Sequence, residues 1–447
     1  MWMQIYGYKF IDIFGTLRMP KGKRKYKSGG LLRQKQDPNF ASEEESFADN
    51  SSIVSNLSEL RVDSDDDTLI EADDEIVTTD DFEDKLKEAI EGTLQKSAKT
   101  RINSLEVIRK SLSSKYMFDF IIDRKVTMCD VVERSLKRGK GEEQILGAIV
   151  AALICTQLGS VEESETVFQT IQPILLILLS DPVIPPAVRA QCASSLGLCC
   201  FISCSGPEVI QSTMESLHSV FSASFFKGNG VAPTHKPEIS SLHSSALLAW
   251  NLLLTVLSPP YIMDLVNTHL KKLPQLLDSI DVDLRIAAGE TLAVFYELIR
   301  QCREDFEDDI DSLCDKLRLL ATDSQKFRAK KDRRQQRSSF RDILRAIEER
   351  EPLDIRVKIG KEVLYIDNWC HKRQYDAFCQ ILGSGMNLHL KQNELLRDIF
   401  ELGAPIIEEN PFTKKSKLQR HSAHLAACKA RTKCLSKLRD KRADVMC

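Results

Sequence analysis

Apolar residues from about residue 82 onward fall at helical spacing, and strand-type alternation is nearly absent, so the chain predicts one helix after another. Five stretches share a pattern: a polar or basic residue, small or apolar residues three to four on, then a large apolar one. They begin at Arg101, Gln144, Arg189, His243 and Arg285. The best-matched pair sets Val188, Arg189, Cys192, Ala193 and Leu196 against Leu284, Arg285, Ala288, Gly289 and Leu292, with Asp181 and Asp281 ahead of them. The intervals between stretches are 43, 45, 54 and 42 residues, close to the period of HEAT and armadillo repeats, about 40–47 residues. The long interval holds a loop insertion from Gly228 to Pro237. Small residues let neighbouring helices approach, and large ones fill the layer between them. Pro182, Pro185, Pro186, Pro207, Pro259 and Pro260 are expected between helices.

After residue 320 the pattern changes. A dense basic face comes first: Lys326, Arg328, Lys330, Lys331, Arg333, Arg334, Arg337 and Arg341. Residues 354–366 then alternate around Gly360 and predict a small hairpin. Two helices are expected over 368–382 and 392–402, separated by the turn Gly383-Ser384-Gly385. The fold class that follows is mainly α: an armadillo/HEAT-like solenoid over 85–319, a small C-terminal domain over 320–410, and a basic C-terminal helix over 411–447.

The net charge of −3 hides a split. Residues 1–84 are expected to form a disordered arm. It has a short basic cluster at 20–27, and its acids run almost unopposed from 41 to 84, with Arg61 the one base there. Ser42 and Ser64, each followed by three acids, look like sites for an acid-directed kinase. Residues 1–18 read as an upstream extension, with Met19 an alternative start. The last 37 residues carry eleven Lys and Arg against Asp440 and Asp444. Lys429, Lys433 and Lys437 fall on one side of a helix, Arg439 points away, and Arg431 and Arg442 lie on another face; Lys441 adds to the run. Charge on most sides suits a helix surrounded by phosphates. A solvated tail or a nuclear localisation signal is the other reading.

Little else carries chemistry. Thirteen cysteines, an odd number, many of them inside apolar runs, point to a reducing compartment. No apolar run reaches membrane-spanning length. Gly383-Ser384-Gly385 lacks the residues of a phosphate loop. Cys199, Cys200 and Cys204 read as core, and Cys370-His371 as neighbours facing different ways. His421, His424 and Cys428 share a helical face but lack a fourth metal ligand. No enzyme, cofactor, membrane or small-molecule substrate is expected.

Several long motifs resemble the interferon-related developmental regulator family. They are LATDSQKFRAKKDRRQQRSSFRDILRAIEE at 320–349, LYIDNW at 364–369, YDAF at 375–378, LGSGM at 382–386, NELLRDIF at 393–400, and KART followed by SKLRDKRADV within 429–445. MPKGKRKYK from Met19 is similar to the family's N-terminus, and residues 408–427 match more loosely. The resemblance implies an armadillo-like N-terminal domain and a distinctive C-terminal domain, neither catalytic. It implies two roles: occupying tRNA and mRNA sites of idle ribosomes, and nuclear co-regulation of transcription with deacetylase-containing complexes. The basic tail favours the first. The expectation is therefore a ribosomal-RNA-binding regulator of translation, cytoplasmic and nuclear, that inserts its C-terminal helix into an RNA-lined channel. The alternative is a nuclear scaffold recruiting transcriptional co-regulators through its repeats.

Overall fold

The computed structural model describes residues 79–404, apart from 160–161, 204–205, 229, 304–305, 307–309 and 324–328. Residues 1–78 of the arm and the basic tail lie outside the described residues; residues 79–84, expected to end the disordered arm, open the first helix instead.

Helices pair and the pairs stack. The outer helices are α1 (Thr79–Gly92), α3 with α4 (Phe118–Asp123, Lys125–Arg138), α6 (Glu162–Ser180), α8 (Pro207–Phe221), α10 (Pro259–His269) and α12 (Asp311–Thr322). The inner ones are α2 (Ala98–Ser114), α5 (Glu142–Leu158), α7 (Pro186–Ile202), α9 (Pro237–Leu254), α11 (Val282–Cys302) and α13 (Lys330–Leu344), and each packs on the next. The architecture is a mainly α helical-repeat array with one two-stranded sheet. The stack continues past residue 319: α12 and α13 make a sixth pair, and the described residues through Gly403 form one compact unit.

The chain's punctuation sets the helix starts. Pro186, Pro207, Pro237 and Pro259 each open a helix at its first position, where the missing N–H costs nothing. Several of the prolines expected between helices therefore belong to first turns. Ser97 and Asp281 cap α2 and α11 through side-chain oxygens. Pro173 is the exception, inside α6.

The five sequence motifs begin within the first two turns of α2, α5, α7, α9 and α11. Their polar residues share a task. The last carbonyls of a helix lack partners, and a side chain from the following inner helix supplies a donor to the end of its outer helix or to the loop beyond. Arg101 donates to the carbonyls of Gln95 and Lys96 at 3.1 and 2.8 Å. Gln144 reaches the Leu136 carbonyl at 3.1 Å, and Arg189 that of Leu179 at 2.8 Å. Arg285 donates to Ser279 and Ile280 at 2.6 and 3.0 Å. His243 instead pairs with the Ser224 hydroxyl at 2.7 Å. In the sixth pair Gln336 takes the role, donating to the Leu320 carbonyl at 3.2 Å. Rungs also join across repeats: Arg101 forks onto Glu143 at 2.6 and 2.9 Å, and Arg285 donates to Gln336. Small residues set the spacing as expected; a Cβ built on Gly197 would lie 2.7 Å from that of Ala249 on the next inner helix.

The remaining chain straps the opposite ends of the inner helices. After α13 come the hairpin β1 (Ile355–Ile359) and β2 (Glu362–Ile366), then α14 (Trp369–Leu382), α15 (Met386–Gln392) and α16 (Glu394–Ile399). α14 crosses the array in reverse order. Its start is held by Glu297 of α11, which accepts from the Trp369 and Cys370 backbone N–H groups, and Lys372 bonds Glu290 at 2.8 Å. Gln374 reaches Thr255 at 3.0 Å, just beyond α9. Phe378 meets Phe201 of α7 edge to face, centroids 6.3 Å apart. Gly385 then lies against the Ser113 carbonyl of α2, His389 bonds the Leu112 carbonyl at 3.2 Å, and Asn393 donates to that of Thr156 at 2.9 Å. The helix expected over 392–402 is shorter, Glu394–Ile399, and an unexpected helix, Met386–Gln392, precedes it. Asn393 separates the two: its side chain accepts from the Leu395 N–H and donates to the Thr156 carbonyl.

Candidate nucleic-acid interface

Helix α13 carries most of the basic face read near residue 330. Lys326 and Arg328 lie outside the described residues. Gln336, Phe340 and Ile343 face inward, with Phe340 and Ile343 closing over Gly289 of α11. About 130° round the helix, Lys330, Arg334, Arg337 and Arg341 recur at i, i+4, i+7 and i+11, a stripe about 16 Å long. Lys330, Lys331, Arg334 and Arg341 are exposed, and none has an ion-pair partner among the described residues. Arg333 and Arg337 are half-buried, and Arg337 donates to the Arg333 carbonyl at 3.4 Å. Arg345, on the π turn that continues α13, extends the stripe and lies 3.9 Å from Asp342. Burial pushes the Asp342 carboxyl up, against the pull of Arg345, Lys372 and Arg341.

The inward face locks the stripe in place, so an anion meets cations on a rigid rod. Unpaired exposed charges hold no structure together and are free to meet phosphate. Lys429, Arg431, Lys433, Lys437, Arg439, Lys441 and Arg442 lie outside the described residues, as do His421, His424 and Cys428.

The hairpin contributes groups that the sequence reading left out. Its outward face carries Arg356, Lys358, Val363 and Tyr365, with Lys361 at the turn. The period-2 alternation of DIRVKIGKEVLYI was the signal that could have found them.

The described residues offer little to catalysis. The Cys192 and Cys200 thiols are pushed up to about 12 by burial, away from the thiolate a nucleophile needs. The Cys199 thiol is raised by its bond with Cys155 and by burial. The Cys370 thiol, raised by burial and by Glu297, sits inside the strap's anchor. His371 bonds Asn368 at 3.1 Å, and burial lowers its pKa. Gly383-Ser384-Gly385 is a 3-10 turn. Arg189 and His243 face a groove between α7, α8 and α9, but both make the ladder bonds described above. Among the described residues no three His, Cys, Asp or Glu side chains gather as metal ligands, and no helix is long and apolar enough to cross a membrane.

Fold and surface thus define a helical-repeat protein with a stripe of exposed cations along one inner helix. The family model described as "Interferon-related developmental regulator" matches residues 50–348, and "Interferon-related protein conserved region" matches 393–443. Interferon-related developmental regulator 1 of Mus musculus is 46% identical over 376 residues, covering 83% of this chain and 84% of the relative. The Homo sapiens protein of that name is also 46% identical, covering 83% of each chain. Interferon-related developmental regulator 2 of Mus musculus is 44% identical over 380 residues, covering 84% and 86%. The chain belongs to the interferon-related developmental regulator family. These relatives are named as regulators, not as enzymes.

Proposed function

We propose that this protein is a non-enzymatic, ribosome- and RNA-binding regulator of translation. The observation that carries the reading is the unpaired basic stripe of α13, held rigid by Phe340 and Ile343 beneath it. Two further features support it. The strap covers the C-terminal ends of the inner helices, so that edge of the array is closed to an extended protein partner. The tail adds eleven Lys and Arg against two acids. In this reading the stripe contacts rRNA phosphates and the tail enters an RNA-lined channel.

The test is co-sedimentation of the full-length protein with ribosomes through a sucrose cushion at low and physiological salt. It runs beside a chain ending at Asn410 and a full-length variant carrying Arg334→Glu, Arg337→Glu and Arg341→Glu. Six neutralised phosphates would cost about a thousandfold in affinity between the two salts. Release by salt, by truncation and by the triple change supports the reading. If the wild-type protein stays in the supernatant at both salts, the ribosome reading fails, and nuclear co-regulation through protein partners takes its place.

A further inference from the structure

We infer that the solvent face of the β-hairpin is a separate RNA contact that takes an unpaired nucleotide, with a base stacked on Tyr365 and neighbouring phosphates held by Lys358, Lys361 and Lys391. The inference rests on the RNA-binding reading above and adds a site and a substrate class to it.

Alternation turns Val357, Ile359, Leu364 and Ile366 inward and leaves the other face to solvent. The register sets Arg356 opposite Tyr365, and Lys358 opposite Val363. Side chains opposite one another on one face of a pair stand about 5 Å apart at Cβ, so the charges flank the ring. Tyr365 is 61% exposed, the one aromatic among the exposed large hydrophobics of the described residues. The Arg356 guanidinium lies 5.7 Å from its ring centroid and is held at 2.9 Å by Asp354. The guanidinium thus lies over one face of the ring, and the lysines remain as the free charges.

The lysines converge on the turn. Gly360, at φ +61°, and Lys361 form a two-residue loop of the primed type. A Cβ built on Gly360 would lie 3.1 Å from Lys391 Nζ, so α15 brings a third ammonium to the loop. Glu362, the acid within the strands, is bonded to Arg397 at 2.9 Å; Lys391 also acts on its carboxyl but forms no ion pair with it. Lys358, Lys361 and Lys391 are exposed and have no ion-pair partner among the described residues.

An exposed ring bordered by unpaired ammonium groups matches single-stranded RNA, whose bases are free to stack and whose phosphates follow at short intervals. A duplex hides its base faces and gains nothing from the ring. An acidic protein surface would use the lysines and ignore it.

The experiment measures binding of the full-length protein to a labelled twelve-nucleotide polyuridine and to an RNA duplex of equal length, by fluorescence anisotropy across a salt series. Variants are Tyr365→Ala, Tyr365→Phe, and Lys358→Ala/Lys361→Ala/Lys391→Ala, each checked for an unchanged thermal unfolding midpoint. Tyr365→Ala is expected to weaken polyuridine binding about tenfold and leave the duplex unchanged, with Tyr365→Phe near wild type. The triple change should lower the slope of log affinity against log salt for polyuridine by about two. Wild-type binding with no effect of either change overturns the hairpin site and leaves RNA binding elsewhere intact. A lysine effect without a Tyr365 effect overturns the unpaired-nucleotide assignment. Absence of binding by the wild-type protein to both RNAs overturns the inference together with the reading beneath it.

Discussion

Glu297 holds the start of a helix 72 residues further along the chain: its carboxylate accepts the Trp369 N–H at 2.8 Å and the Cys370 N–H at 3.3 Å. Asn368 takes the next donor, from His371, at 2.7 Å. The first three N–H groups of α14 are thus satisfied, two of them by a charged group from the array. Glu297→Ala should destabilise the protein by about 2 kcal/mol, and Glu297→Gln by less, since one acceptor remains. Hydrogen exchange at residues 369–375 should quicken in the Ala variant. Unchanged protection there would mean that the strap is anchored elsewhere.

Gly385 allows the strap to turn. A Cβ on it would lie 1.7 Å from the Ser113 carbonyl oxygen, a backbone atom that cannot step aside. Gly385→Ala therefore has to displace either the turn or the end of α2. The expected loss is about 3 kcal/mol, the upper range for overpacking, read from the urea midpoint. Ser384→Ala, at the neighbouring exposed position, should change little.

His389 makes the strap sensitive to acid. Burial holds its imidazole down to about 4, outweighing the Leu112 and Ser113 carbonyls that favour the charged form. A base whose folded pKa is depressed stabilises the fold above its unfolded pKa, near 6.5. That contribution is lost as pH falls from there toward 4. Between pH 7.5 and 5.0 the loss is about 2 kcal/mol. His243 and His269, also brought down to about 4, add to the same slope. His389→Gln cannot titrate, so its stability should fall less than the wild type's over that interval. Equal slopes in urea unfolding at the two pH values would refute the assignment.

How far the sequence reveals this fold depends on the range of the interaction. The five motif residues are legible because their partners are local: Arg189 reaches back ten residues and Gln144 eight. The sixth pair escapes the repeat search because Gln336 sits among basic residues and follows Arg285 by 51 positions. Its own signal is the inward set Gln336, Phe340, Ile343 and Ile347 at spacings of four, three and four. The strap is legible as helices but not as a strap. Contacts such as His389 with Leu112, 277 residues apart, leave no periodicity to read. The basic face was visible in composition. Its division into exposed Lys330, Arg334 and Arg341 and half-covered Arg333 and Arg337 needed the packing of α13.

Arg397 ties the hairpin to the strap, and its environment separates a charge pair from a hydrogen-bond hub. It is 2% exposed. Its guanidinium bonds both Glu362 oxygens at 3.1 and 2.9 Å, and the carbonyls of Leu390, Leu402 and Gly403 at 3.0, 2.8 and 2.8 Å. Bonding to Arg397 holds the Glu362 carboxyl below the usual carboxylate range. Arg397→Met should cost about 4 kcal/mol, because it strands a carboxylate and three carbonyls together. Adding Glu362→Leu relieves the carboxylate but not the carbonyls, so the double variant should recover only part of the loss. Arg397→Lys supplies one point charge where a planar fork is used and should fall between wild type and Arg397→Met. Full recovery in the double variant would show that the ion pair alone matters. Amide exchange over 355–366 should rise in Arg397→Met, and polyuridine affinity should fall with it if the hairpin face is the contact inferred above.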